Sequence, residues 1–87
     1  MHYGKMLMDA FSAKANDFRD RDEYEQAFVM DSMENAVNNV MHGRTEDEIR
    51  AHALRHIDLV LADERLTLSD TERATYEAAR SVVRSVG

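Results

Sequence analysis

The chain has 87 residues, enough for one domain (residues 1–87) and too few for two. It contains no Cys, which excludes disulfides, thiolate zinc sites and thiol nucleophiles. Its net charge of −6 argues against direct binding to nucleic acid or to an anionic membrane surface.

Apolar residues make up 44% of the chain, with six Met and no Trp or Pro. That suits a small helical core better than a large buried sheet. A domain of this size hides only about 60–65% of its unfolded surface, so its stability depends on close packing or on a partner. The lack of disulfides in so small a domain favours a reducing, cytoplasmic location. Asp9 and Ser12 interrupt the apolar start, so a signal peptide is not expected, and no stretch approaches the ~20 apolar residues that span a bilayer.

The periodicity is helical throughout, and nothing marks a hairpin. The first helix is predicted over Tyr3–Phe18, with Tyr3, Leu7, Ala10, Phe11, Ala15 and Phe18 on one face. A polar break over Asp17–Asp22 follows, short enough to make the first two helices antiparallel neighbours. The second helix is predicted over Asp22–His42 and ended by a left-handed cap at Gly43. Its main apolar face carries Val29, Met30, Met33, Ala36, Val37, Val40 and Met41. Tyr24 and Phe28 fall on roughly the opposite side.

Thr45-Glu46-Asp47-Glu48 is a capping box that opens the third helix, whose stripe of Ile49, Ala53, Leu54, Ile57, Val60 and Leu61 ends near Asp63. Leu66 and Leu68 are expected to plug one end of the core. A second capping box, Ser69-Asp70-Thr71-Glu72, starts the fourth helix, with Tyr76, Ala79, Val82, Val83 and Val86 facing inward. The expected fold is all-α: a single antiparallel bundle of about four helices. Homodimerisation could complete its thin core.

Four constellations could carry function. Glu48, His52 and His56 recur every fourth residue, with Asp63 further along the strip, and His42 or His2 could add a ligand to a zinc-type site. The spacing suits a metal, but the pair lacks an HExxH base, since Ala53 follows His52. A plain row of interfacial histidines explains it better, so no metal or other cofactor is expected.

The second constellation is the acidic run of Asp17, Asp20, Asp22, Glu23 and Glu25, with Asp31, Glu34 and Glu46–Glu48. Carboxylates spread along helices can imitate a phosphate array to a basic partner. Equally, Asp22, Glu23 and Glu25, and Glu46–Glu48, sit at helix starts, where negative charge offsets the dipole.

The third is the Tyr24/Phe28 pair, which anchors a partner if exposed and packs beneath the first helix or on the Leu66/Leu68 connection if buried. Met30, Met33 and Met41 would add a pliable apolar surface. The fourth is Arg73, Arg80 and Arg84 on the last helix, read as a solvated face.

Catalytic templates are missing. There is no Gly-rich phosphate loop, and no Ser lies in a nucleophile elbow. Carboxylates on these helices are expected to face solvent with ordinary acidity. The expected function is a non-catalytic, acidic protein-binding module acting through Asp20, Asp22, Glu23, Tyr24, Glu25 and Phe28. It would be a stoichiometric inhibitor or regulator of a protein partner, one version blocking a basic nucleic-acid-binding surface. By analogy of size and charge alone, small anti-defence proteins of phages and mobile elements act this way. The alternatives are a structural homodimer joined through its Met face and a metal-binding protein using His52 and His56.

Overall fold

A computed structural model of the chain describes residues 2–86. It holds four helices, α1 (Tyr3–Asp20), α2 (Tyr24–Asn38), α3 (Glu46–Ala62) and α4 (Asp70–Ser85), and no strand among the described residues. The Cα radius of gyration is 12.4 Å, close to the roughly 12 Å of a compact domain of this length.

Both capping boxes form. Thr45 Oγ1 accepts from the Glu48 amide at 3.2 Å while Glu48 Oε1 accepts from the Thr45 amide at 3.0 Å. The same reciprocal pair joins Ser69 and Glu72 at 3.0 and 2.9 Å. At the start of α1 the cap is His2, whose Nδ1 accepts from the Gly4 amide at 3.0 Å, so that ring nitrogen is already occupied and is no spare metal ligand.

α1 runs to Asp20, one half-turn beyond the predicted end. It closes in a Schellman motif: the Glu23 amide donates to Phe18 O at 2.9 Å and the Asp22 amide to Arg19 O at 3.0 Å. The position that must turn left-handed is Asp22, with φ of 60°, where Gly is the usual occupant.

α2 is shorter at both ends than its predicted span of Asp22–His42. It begins only after the Schellman turn and stops at Asn38. Asn at 38 and 39 competes for its own backbone and lets the helix fray early. Gly43 does have a positive φ of 71°, but in the turn leading into α3 rather than as the cap of α2.

Cross-links between helices give their directions. Arg80 pairs with Asp58 at 2.7 Å, and Arg73 donates to Leu61 O at 3.3 Å, so α3 and α4 run antiparallel. Arg19 pairs with Asp31 at 2.7 Å across the α1–α2 hairpin. Glu25 bonds to Ser69, and Ser32 reaches Tyr76, so α2 and α4 run parallel and side by side. Consecutive helices therefore alternate in direction, while α2 and α4 touch instead of lying across a diagonal. α2 packs against both α1 and α4.

One core serves all four helices. α1 contributes Tyr3, Leu7, Phe11 and Ala15; α2 contributes Val29, Met30, Met33 and Val37. Ile49, Ala53 and Ile57 come from α3, and Tyr76, Ala79, Val82 and Val83 from α4. Full burial of each large side chain here contributes about 1.5–3 kcal/mol. Gly4 lets α1 approach the α2–α3 connection, since a Cβ there would lie 2.8 Å from Met41 Cβ.

Two expectations about the core fail. Met30 and Met33 are wholly enclosed, so they form the core of one chain and cannot be the face that joins two. Leu68 does pack on the core, but Leu66 is 42% exposed: the 63–69 connection places only one of the two leucines inward. No helix of the described residues is long and apolar enough to cross a membrane.

Candidate functional site

The corner between α1 and α2 gathers all six residues singled out for partner binding. Asp20 ends α1, Asp22 makes the left-handed turn, Glu23 precedes α2 without a side-chain capping bond, and Tyr24, Glu25 and Phe28 occupy its first two turns. The core face of α2 is defined by Val29, Met30, Met33 and Val37. At 100° per residue, Tyr24 and Phe28 point directly away from it.

Tyr24 is 63% exposed and Phe28 is 65% exposed, which excludes their packing beneath α1 or under the Leu66/Leu68 connection. The hydroxyl of Tyr24 donates to Asp22 Oδ1 at 3.0 Å, which fixes the ring edge against the turn. Elsewhere in the chain, aromatic rings are buried or covered. Phe11 and Tyr76 lie in the core. Arg50 lies over the Tyr3 ring at 4.7 Å from its centroid, and Arg21 over Phe18 at 5.1 Å.

The charges at this corner divide into two sets. Glu23 is paired with Arg21 at 3.3 Å, and Asp31, further along α2, with Arg19. Glu25 accepts from the Ser69 hydroxyl, tying the start of α2 to the start of α4. Among the described residues, Asp17, Asp20 and Asp22 make no ion pair.

The helix dipole accounts for Glu25, in the first turn of α2. It disfavours Asp17 and Asp20, which lie in the final turn of α1 where positive charge belongs. Asp22 takes the left-handed turn, which Asp tolerates better than most residues other than Gly. Two carboxylates, Asp17 and Asp20, thus stand where the helix dipole argues against them, a pattern expected at functional positions.

The second acidic group, Glu46–Glu48, is not free in the same way. Arg50 pairs with Glu46 at 2.9 Å and Asp47 at 3.3 Å, and Arg44 pairs with Glu48 at 3.6 Å. Nor is its acidity ordinary: hydrogen bonds from Thr45 hold Glu48 below the usual carboxylate range. Asp63 is lowered likewise by Arg65, and these two shifts correct the expectation of unperturbed helix carboxylates.

The histidine row does not assemble into a metal centre. Glu48 is committed to its cap, and Asp63 is bound to Arg65 at 3.0 Å. No group of three or more His, Asp or Glu among the described residues could hold a metal ion. His52 is exposed, whereas His56 is half-buried and its pKa is lowered, first by burial and then by His52 one turn away.

On α4, Arg80 is consumed by Asp58 and Glu77, and Arg73 by the Leu61 carbonyl, so those arginines brace α3 against α4. Arg84 remains exposed.

Sequence reasoning missed an open groove of ≈ 390 Å³ between α1 and α4. Phe18, Met30 and Val82 are among its lining residues, with Lys14, Ala78, Ser81 and Ser85. No local signal foretells it, because its lining comes from α1, α2 and α4, which meet only in the tertiary structure. The Schellman turn was hidden for a related reason: its usual marker, Gly, is replaced by Asp22.

No family model matches this chain, and neither a curated protein nor a solved structure is similar to it.

Proposed function

We propose that this chain is a non-catalytic protein-binding module whose contact surface is the α1–α2 corner. The observation that carries the reading is the pairing of two exposed aromatics with uncompensated acids. Tyr24 and Phe28 stand out from α2 at 63% and 65% exposure beside Asp20 and Asp22. Exposed aromatics at the centre of a charged rim have the composition of binding hot spots. They cost the isolated chain solubility and contribute little to its core. The carboxylates give the surface a sign, so the favoured partner is a basic protein, and steering between opposite charges speeds the encounter.

In this reading the chain acts by occupancy. It covers a positively charged, nucleic-acid-binding face of its partner in the cytoplasm and so inhibits it one to one. No chemistry at the corner is needed for this reading: none of its carboxylates is enclosed.

The test compares captures from lysate of the native host, treated with nuclease. Wild-type protein is run beside Y24A/F28A and D20N/D22N. A single basic protein retained by the wild type and lost from both variants supports the reading. Equal retention by all three, or a partner released by nuclease, overturns it. Sedimentation of the pure protein at high micromolar concentration gives a separate answer about self-association.

A further inference from the structure

Arginine already lies over two aromatic rings of this chain, the buried Tyr3 through Arg50 and the partly buried Phe18 through Arg21. Tyr24 and Phe28 carry no such cover among the described residues. They sit one turn apart on α2, about 6 Å along the axis, and leave most of their surface to solvent. Asp22 adjoins the Tyr24 ring through the hydroxyl bond, Glu25 lies in the turn between the rings, and Asp20 stands just across the corner.

A planar cation that stacks on a ring while its edge hydrogen-bonds a carboxylate satisfies both features at once. Guanidinium does this; an ammonium is a compact, strongly hydrated charge and gains less from a ring face.

We infer that the Tyr24–Phe28 strip is a seat for two arginines of the partner, carried one helical turn apart on a helix. This deepens the protein-binding reading and rests on it. Each guanidinium lies over one ring, with Asp22 and Asp20 taking the N–H edges near Tyr24 and Glu25 those near Phe28. The seat selects arginine over lysine, whereas acidity alone would attract both equally.

The experiment uses the whole protein and three helical peptides of equal charge on a common alanine-rich scaffold. One carries Arg at i and i+4, one Lys at the same places, and one Arg at i and i+2, which cannot face one strip. Affinity is measured by calorimetry at about 0.15 M salt, where exposed charge attraction is already screened over ~8 Å. The i,i+4 arginine peptide is expected to bind about fivefold or more tighter than either other peptide.

In Y24L/F28L, which keeps apolar bulk but removes the rings, that preference should collapse towards unity. In D20N/D22N all three peptides should weaken together. Equal affinity for the Arg and Lys peptides overturns the seat, as does a preference that survives loss of the rings or the absence of measurable binding. None of those results depends on the lysate capture, so a partner lost on Y24A/F28A would keep the module reading while the arginine seat falls.

Discussion

Replacing both exposed aromatics should leave the fold almost untouched. Tyr24 and Phe28 bury only about a third of their surface. Full burial of such a side chain is worth about 1.5–3 kcal/mol, so a third of it is about 0.5–1 kcal/mol each. Ala regains a few tenths of a kcal/mol per site in helix propensity over Tyr or Phe. Y24A/F28A should therefore lose about 0.5–1.5 kcal/mol in total, while Phe11→Ala, at a fully enclosed position, should lose about 3–5 kcal/mol.

For a domain of this size 1 kcal/mol corresponds to roughly 4–8 °C in Tm, so the two variants are readily separated. Urea unfolding followed by far-ultraviolet circular dichroism gives both values. A loss above about 2 kcal/mol in Y24A/F28A would mean that the rings support the corner itself, and the case for a binding surface would fail with it.

Three more outcomes follow from the same geometry. Asp22→Gly should keep or raise stability within about 1 kcal/mol, because it relieves a left-handed residue and gives up one exposed hydrogen bond; Asp22→Val should be destabilising by more than that, and a Tm scan of the two checks the order. Ser69→Ala should cost more than Thr45→Ala, for which about 1 kcal/mol is expected, since the Ser69 hydroxyl also holds Glu25 of α2; equal losses would refute the link between α2 and α4.

His56 holds its proton less tightly folded than unfolded, where the ordinary pKa is 6.5. Its contribution is thus complete above that value and is lost as pH falls from about 6.5 towards the lowered folded pKa. Glu48 and Asp63, being lowered carboxylates, act only at more acidic pH. Stability of the wild type should decline between pH 7 and 5, and His56→Gln should flatten that slope; an unchanged slope would show that another group titrates there.

Local signals were enough for the helices and for much of what lies inside them. The capping boxes at Thr45 and Ser69 satisfy amides within four residues, so their residue types mark the helix starts by themselves. The stripe of Leu7, Phe11 and Ala15 and that of Ile49, Ala53 and Ile57 follow from the helical period, and all six are buried. Where the local signal was ambiguous, boundaries slipped. Gly43 has the left-handed conformation its type suggests, yet Asn38 and Asn39 had already released the helix.

The candidate surface was only half legible. That Tyr24 and Phe28 leave the main apolar face of α2 is a property of the sequence. Whether another element covers them is not, because α2 has neighbours on two sides and the period says nothing of where those neighbours stop. Tertiary structure alone decided that α4 runs beside α2 at Ser69 and Tyr76 and leaves the opposite strip bare. It also decided that Asp58 meets Arg80 and Asp31 meets Arg19 on neighbouring helices, whereas Asp20 and Asp22 meet no such cation. Burial patterns are set by each residue and its near neighbours along the chain. Pairing and exposure depend on which distant segments arrive beside it, and that is fixed only when the four helices share one core.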